Sequence, residues 1–317
     1  MYTSLVKNAL ITGARGFIGR HVASHLRGEG VQVCGLGHGA WTEEESARFG
    51  VTGWLNGDVT KQNLSLIAHQ LGRIDCIVHL AGGSSVAPSV AAPEEDFRRT
   101  VVSTMEVLEW VRTNSPETAV VFASSAAVYG AGHTQAIRTD DPIRPTSPYG
   151  VHKRVAEELC ASYAHSFGTH VAVVRLFSVY GPGLRKQLLW DACCKLLRGC
   201  DVLEMGGTGR EQRDFLHVQD ASSYLAAAAR DASTACPIFN AGTGQAVSVR
   251  EIAEELLRVW GGTGQASFTG KSRAGDPEFL VANLIPVPSV GGIQFRPWRQ
   301  GISEYVNWFH SDRKNTQ

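Results

Sequence analysis

Short apolar runs alternate with amphipathic stretches along the first half of this chain. The runs predict strands at 32–36, 75–80, 119–123 and 170–177. Apolar residues at helical spacing predict helices at 17–27, 64–71, 93–112 and 149–167. A helix between two such strands forms a right-handed crossover that keeps the strands parallel. The pattern therefore predicts an α/β fold with a doubly wound parallel sheet.

The pattern changes after residue 183. Further helices are predicted at 188–197, 220–230, 249–260 and 300–309, with a glycine-rich turn at 206–209 and an irregular surface connection at 286–292. This segment is typical of a smaller mixed lobe folded over the carboxyl edge of the sheet, where open α/β sheets bind their ligands.

Composition narrows the kind of protein. With 317 residues the chain exceeds the usual size of one domain. Its 30 basic and 30 acidic residues balance, and the sequence has no basic run. This argues against nucleic acid or a membrane surface as partner. Seven cysteines without a Cys-x-x-Cys pair indicate reduced core thiols. The histidines show no metal-ligand spacing, and no apolar segment approaches membrane-spanning length. We expect a cytoplasmic protein without a metal.

Closely spaced glycines follow the first predicted strand, which contains Leu10 and Ile11. Gly13 allows a tight turn, Gly16 lets the backbone approach a pyrophosphate, and Gly19 lets the following helix lie close to the strand. The free N–H groups and the dipole of that helix attract phosphates. The arrangement predicts a dinucleotide site.

Tyr149 and Lys153 stand four residues apart in a predicted helix, so that their side chains share one face. A free tyrosine titrates near ~10, and bringing its pKa close to neutrality requires about 4 kcal/mol in favour of the phenolate. An adjacent ammonium and a cationic cofactor could supply this together. An ordinary surface pair is the alternative; the glycine loop favours a catalytic base.

Several motifs occur in a fixed order along nearly the whole chain. They are Thr12-Gly-x-x-Gly-x-x-Gly19, Asp58, His79-Leu-Ala-Gly82, Ser124-Ser125 before Val128-Tyr-Gly130, Tyr149-x-x-x-Lys153, Arg213-Asp-Phe-x-His217 and Arg273-Ala-Gly-Asp-Pro277. With them the chain resembles the extended short-chain dehydrogenase/reductase family of nucleotide-sugar epimerases, dehydratases and reductases. The resemblance implies a Rossmann domain at 1–177 plus 214–241 and a nucleotide-sugar-binding lobe at 178–213 plus 242–317.

The same resemblance implies the roles of individual residues. Tyr149 would be the acid/base on the sugar hydroxyl, Lys153 would lower its pKa and bind a ribose, and Ser125 would be the second hydroxyl contact. The implied cofactor-binding residues are Gly13, Arg15, Gly16, Phe17, Ile18, Gly19, His38, Asp58, Val59, Leu80, Ala81, Gly82, Ser124, Tyr149 and Lys153. The implied substrate-binding residues are Ser125, Ser178, Arg213 and Arg273.

Some of these residues have a structural alternative. Ser124 could replace Ser125 as the hydroxyl donor, and either serine could cap a strand end. Asp58, which would bind the adenine amino group, could be a helix N-cap before Gln62. Arg213 and Arg273, the expected diphosphate contacts, could form surface salt bridges, and His79 is interpreted as structural.

Two departures from the family pattern narrow the chemistry. Ala126 and Ala127 stand where 4,6-dehydratases carry acids, and an alanine cannot move a proton, so that reaction is disfavoured. In NAD-preferring relatives an aspartate binds the adenosine ribose, and in this chain Gly37 occupies about that position. The missing carboxylate would not repel a 2′-phosphate, and Arg15 and His38 could bind one, so the sequence slightly favours NADP.

Two reactions remain. Changing the stereochemistry of a sugar carbon requires hydride transfer to nicotinamide while a base removes the hydroxyl proton. One interpretation is an NDP-hexose 4-epimerase, which uses NAD; the other is an NADPH-dependent reductase of 4-keto-6-deoxy sugars. A third interpretation, without a reaction, is a non-catalytic nucleotide-binding relative. We expect a nucleotide sugar as ligand and a homodimer formed through helices 93–112 and 149–167, and the sequence leaves the base and sugar open.

Overall fold

The computed structural model describes residues 6–200, 202–261, 264–271, 276–284 and 293–314. Within these ranges the strands, in chain order, are β1 (Asn8–Thr12), β2 (Gln32–Gly37), β3 (Val51–Asn56), β4 (Cys76–His79), β5 (Ala119–Ser125), β6 (Val171–Leu176), β7 (Ser178–Tyr180), β8 (Val202–Met205), β9 (Gln212–Arg213), β10 (Phe215–His217), β11 (Ile238–Ala241), β12 (Val247–Ser248), β13 (Gln265–Phe268) and β14 (Phe279–Leu280). The helices are α1 (Phe17–Gly28), α2 (Glu43–Arg48), α3 (Lys61–Leu71), α4 (Val86–Ala91), α5 (Pro93–Phe97), α6 (Ser103–Asn114), α7 (Pro148–Phe167), α8 (Gln187–Leu197), α9 (Val218–Ala228), α10 (Val249–Trp260) and α11 (Trp298–Lys314).

Seven parallel strands form the central sheet in the order β11-β6-β5-β4-β1-β2-β3. The chain builds outward from β1 to β3, returns, and continues from β4 to the other edge. The switch between β1 and β4 opens a crevice at the carboxyl ends of the strands, which is where doubly wound sheets bind their ligands. The fold is the predicted Rossmann-type α/β fold.

Helices cover both faces of this sheet. The apolar side chains of β1 and β4 alternate between two buried clusters, one containing residues of α1 and α9 and the other residues of α3, α6 and α7. His79 at the end of β4 is fully buried between the hydroxyls of Thr12 (2.7 Å) and Thr104 (3.2 Å). Burial lowers the pKa of His79 to about 3, so the imidazole is neutral and joins β1, β4 and α6.

A third apolar cluster lies beside the sheet. Residues of α8, α10 and α11 form it together with β8, β10 and β12. Short strand pairs accompany this cluster: β7 with β10, β8 with β13, and β9 between β12 and β14. None of the helices in the described ranges is long and apolar enough to cross a membrane. This smaller mixed lobe follows the change of pattern that the sequence showed after residue 183.

The predicted elements are present with small shifts at their ends. Differences from the prediction occur in the first half of the chain at one long helix, one strand and one short helix. The helix expected at 93–112 is α5 and α6 joined by a π-helical turn, Arg98–Val102. The sequence analysis missed β3, because Gly53 interrupts its apolar run, and it missed α2, although Thr42 and Glu45 form a capping box there. The connection expected at 286–292 lies outside the described residues.

Candidate active site

A cavity of about 1060 Å³ occupies the crevice at the carboxyl edge of the sheet. Its wall contains nearly all of the residues that the sequence singled out: Gly13, Arg15, Gly16, Phe17, Ile18, Gly19, Gly37, His38, Asp58, Val59, Leu80, Ala81, Gly82, Ser124, Ser125, Tyr149, Lys153, Ser178 and Arg213. Arg273, the remaining substrate-binding prediction, lies outside the described residues. The fold therefore brings segments from the whole chain to one site.

The glycine loop between β1 and α1 has no room for side chains. Gly13 has φ +72°, and a Cβ atom there would lie 3.0 Å from the backbone nitrogen of Ala81. A Cβ atom on Gly19 would lie 2.3 Å from the Gly13 carbonyl oxygen. Helix α1 begins directly after Gly16 and has no acidic residue in its first turn. Backbone N–H groups at a bare helix N-terminus fit the pyrophosphate of a dinucleotide.

Asp58 lies at the end of the cavity near β2. Asp58 accepts hydrogen bonds from His38 (3.0 Å) and Arg98 (3.4 Å). It does not cap α3, because Thr60 does so by accepting a bond from the backbone of Asn63 (3.2 Å). The capping alternative for Asp58 was therefore wrong.

Arg15 leans across the chain that follows β2. A Cβ atom on Gly39 would lie 2.6 Å from its Nη1 atom, and its buried Nε has no hydrogen-bond partner among the described residues. Beside it, the ring of Trp54 approaches Gly37 so closely that a Cβ there would lie 3.2 Å from the indole. Gly37, at the position of the missing ribose-binding aspartate, thus leaves space for the Trp54 ring.

Helix α7 presents Tyr149 and Lys153 to the cavity. Ser147 caps its first turn by accepting a bond from Gly150 (3.2 Å), and the backbone nitrogen of Tyr149 donates to the Ser89 hydroxyl (3.0 Å). Ser125 is the hydroxyl neighbour of the Tyr149 side chain. Burial raises the pKa of Tyr149, Ser125 opposes this, and the Asp96 carboxylate adds to it. The protein matrix alone therefore holds a neutral phenol, whereas the sequence analysis expected a lowered pKa in the presence of a cationic cofactor.

Lys153, about one helical turn after Tyr149 on α7, is anchored by its surroundings. Its ammonium donates to the carbonyl oxygen of Ala123 (2.7 Å) and lies 4.9 Å from the centre of the Phe122 ring. Burial lowers the pKa of Lys153 to about 8, while the carboxylates of Asp96 and Glu157 act in the opposite direction. The ammonium consequently remains charged at neutral pH and can stabilise a neighbouring phenolate.

The two adjacent serines at the end of β5 point in different directions. The Ser124 hydroxyl donates a hydrogen bond to Glu157 (2.5 Å), whose carboxylate also accepts two bonds from the buried guanidinium of Arg175 (3.0 and 2.8 Å). Ser125 accepts a bond from the backbone of Ala127 (3.2 Å) and contacts Tyr149. The geometry therefore favours Ser125 over Ser124 as the hydroxyl beside the phenol, although Ser125 also caps a short 3₁₀ turn as its structural alternative proposed.

A second buried pair escaped the sequence analysis. Asp96 on α5 contacts His152, which stands between the two key residues of α7, at 2.6 Å. A Cβ atom on Gly83 would lie 1.9 Å from the Asp96 carboxylate, so the pair needs glycine in the cavity wall. Neither Asp96–His152 nor Glu157–Arg175 has a sequence signal beyond a polar residue within a helix or strand, because the partners lie on different elements.

The opposite wall of the cavity holds Ser178, Arg213 and Lys186. Arg213 donates to the carbonyl oxygen of Gln212 (2.9 Å), and burial lowers its pKa while Asp276 and Glu211 counteract this. Its guanidinium is thus available to an anion in the cavity. Lys186 was not singled out by the sequence analysis. Within the described ranges, no group of three or more His, Cys, Asp or Glu side chains is placed to hold a metal ion.

Comparison with known proteins places these features in context. The family model described as NAD dependent epimerase/dehydratase family matches residues 9–242. UDP-glucose 4-epimerase from Streptomyces lividans is 31% identical over 292 residues, covering 86% of this chain and 87% of the relative. UDP-glucose 4-epimerase from Azospirillum brasilense is 29% identical over 299 residues, covering 88% and 85%.

Solved structures agree with the sequence relatives. The structure of MoeE5 in complex with UDP-glucuronic acid and NAD superposes with a TM-score of 0.82 at 31% identity, covering 96% of this chain and 99% of that one. A second complex of MoeE5, with UDP-glucose and NAD, gives a TM-score of 0.83 with the same identity and coverage.

Proposed function

This chain belongs to the NAD-dependent epimerase/dehydratase family, and on that premise we propose that it is an NDP-hexose 4-epimerase of the extended short-chain dehydrogenase type. The observation that carries the proposal is that Tyr149, Ser125 and an anchored Lys153 line one cavity together with a bare glycine loop. Relatives that are named UDP-glucose 4-epimerases, and a structure with NAD and UDP-sugars bound, support the 4-epimerase over the keto-sugar reductase and favour UDP as the nucleotide.

The residues present fit a nicotinamide dinucleotide. The cradle formed by Gly13, Gly16 and Gly19 would hold the pyrophosphate, and Asp58 would meet the adenine amino group. The remaining proposed contacts are Arg15, Phe17, Ile18, His38, Val59, Leu80, Ala81, Gly82, Ser124, Tyr149 and Lys153. When bound, the nicotinamide supplies a hydride acceptor and donor for the sugar carbon. We propose NAD as the resident cofactor, as expected for a 4-epimerase.

Tyr149 acts as the acid/base for the proton of the sugar hydroxyl. As phenolate it accepts the proton of the C4 hydroxyl when that carbon is oxidised, and it returns the proton after the 4-keto sugar has turned over. Ser125, already in contact with the phenol, aligns the same hydroxyl. Lys153, four residues further along α7, would supply a positive charge that favours the phenolate form of Tyr149.

The substrate extends toward the smaller lobe. We propose that Arg213 binds the diphosphate, because its half-buried guanidinium faces the cavity. Ser178 would contact the sugar nucleotide from the start of β7, and Arg273 would be a second diphosphate contact. In this proposal residues 1–177 plus 214–241 form the cofactor domain, and residues 178–213 plus 242–317 form the nucleotide-sugar lobe.

We further propose a cytoplasmic homodimer. The seven cysteines are free thiols, in agreement with a reducing compartment. Phe97, Met105 and Val151 are large apolar side chains exposed on α5, α6 and α7, which are the helices expected at the dimer contact.

The test is to incubate the purified protein with UDP-glucose and with UDP-glucuronate, to separate each from its 4-epimer, and to analyse the dinucleotide released by denaturation. A 4-epimerase interconverts the epimers without net consumption of a reduced dinucleotide. Stoichiometric consumption of NADPH with a 4-keto sugar, without epimerisation, would instead establish the reductase.

A further inference from the structure

Lys186 places an ammonium without a counter-charge in the wall of the active-site cavity. The side chain is half-buried, and its Nζ donates to the hydroxyl (2.9 Å) and the carbonyl oxygen (3.4 Å) of Ser84. Among the residues that the structure describes it forms no ion pair. Burial lowers the pKa of Lys186, and no carboxylate opposes this. A half-buried ammonium that is bonded only to neutral oxygens is a favourable partner for an anionic ligand.

Several other cationic side chains in the same cavity lie close to carboxylates. Arg98 pairs with Glu95 and Asp58, and Arg99 pairs with Glu95. The carboxylates of Asp276 and Glu211 act on Arg213. Arg15 also forms no ion pair within the described ranges, but it lies against Gly39 after β2. Lys186 is therefore the cation without a carboxylate partner on the α8 side of the cavity.

The ammonium lies toward the reacting end of the cavity. Ser84 follows Gly82 by two residues, which span at most about 7 Å, and a Cβ atom on Gly82 would lie 3.5 Å from the Lys153 ammonium. Ser84 also leads into α4, where Ser89 receives the backbone N–H of Tyr149. Arg213, on β9, belongs to the wall formed with Pro277 and Leu280. The two cations thus belong to different segments of the cavity wall.

The backbone beside Lys186 is constrained. Gln187, the first residue of α8, has φ +66°, one of two such non-glycine residues among those described. The left-handed region is unfavourable for a residue with a side chain, and such residues persist where surrounding structure requires them, often at ligand sites. Gln187 also lines the cavity, so the unusual turn fixes the start of α8 against the substrate space.

We propose that Lys186 selects nucleotide sugars that carry a carboxylate at C6, so that the preferred substrate is a UDP-hexuronate. The inference rests on the proposed 4-epimerase function. With C4 placed at Tyr149, C6 is the nearest carbon outside the ring, attached through C5. A C6 carboxylate accepts two hydrogen bonds and pairs with the ammonium, while a neutral hydroxymethyl group leaves that charge uncompensated.

The experiment compares kcat/KM for UDP-glucuronate and UDP-glucose in the NAD-loaded protein and three variants. Lys186→Gln should lower the uronate-to-glucose ratio by about 30-fold, which corresponds to about 2 kcal/mol. Lys186→Arg keeps the charge and should retain most of the ratio. Lys195→Gln removes an exposed lysine of the same helix outside the cavity and should leave the ratio unchanged. The dissociation constants of UDP and of NAD are measured for each variant.

The outcomes separate the anions that Lys186 could meet. Equal losses for both sugars and for UDP would place the ammonium on the substrate diphosphate, and weaker NAD binding would place it on the cofactor pyrophosphate; either result would overturn the proposal. A wild-type protein that epimerises UDP-glucose but prefers it over the uronate would overturn the proposal and leave the 4-epimerase function intact. Conversion of neither sugar would remove both.

Discussion

Replacing Tyr149 by phenylalanine removes a single oxygen from the active site. The hydroxyl contacts Ser125, whereas the backbone of Tyr149 is held separately by Ser89 and the helix by its Ser147 cap. The ring, the glycine loop and Lys153 remain in place. The substitution therefore tests proton transfer with little other change.

The expected magnitudes differ strongly between catalysis and stability. Loss of a positioned acid/base costs about 10²- to 10⁴-fold in rate, or about 3 to 5 kcal/mol in activation free energy. Loss of one hydrogen bond changes the free energy of unfolding by about 1 kcal/mol. NAD affinity should change little, because the cradle formed by Gly13, Gly16 and Gly19 is untouched.

The assay follows epimer interconversion, NAD binding and urea unfolding in parallel. Tyr163→Phe is the matched control, since Tyr163 lies on the same helix, bonds Glu109 (3.1 Å) and stands outside the cavity. It should lose no more than a few-fold in turnover. Tyr149→Phe with turnover near that of the wild type, or with its activity lost only because the fold is lost, would refute the assigned role.

Three further outcomes follow from charges described above. Turnover should decline as the pH rises through about 8, because the pKa of Lys153 is about 8 and a neutral amine no longer stabilises the phenolate; constant turnover up to pH 10 would contradict this. His79 has a folded pKa of about 3 against about 6.5 when unfolded, so the unfolded state binds the extra proton and the free energy of unfolding should fall by about 1.4 kcal/mol for each pH unit below 6.5. Urea titrations of wild type and His79→Gln check this, and equal slopes would exclude the histidine as the cause. Arg15→Leu should weaken NADP binding about tenfold more than NAD binding, as measured by calorimetry, because only NADP offers a 2′-phosphate to the guanidinium; equal effects would show that Arg15 does not face that phosphate.

Local sequence signals predicted the parts of the fold that depend on neighbouring residues. The glycine loop, α7 with its two key residues, and the alternation of strands and helices were all visible, because period and turn chemistry act over a few positions. The family resemblance identified residues from several segments that the fold brings to one cavity wall, because the carboxyl ends of parallel strands meet at one edge of the sheet.

Long-range pairs were beyond that reasoning. The side chain of Glu157 meets Ser124 and Arg175 only because α7 packs across β5 and β6. Lys186 looked like an ordinary helix-flanking lysine until its contact with Ser84, 102 residues away, placed it in the cavity. Such contacts require the tertiary fold, which local sequence patterns do not specify.

The central claim is that C4 of the sugar is oxidised and reduced again within one turnover. The direct measurement is to convert UDP-hexose or UDP-hexuronate labelled with deuterium at C4 and to analyse both epimers by NMR and mass spectrometry. The account predicts full retention of deuterium at C4 in the product, with no net change in dinucleotide oxidation state. Loss of the label to water would contradict it.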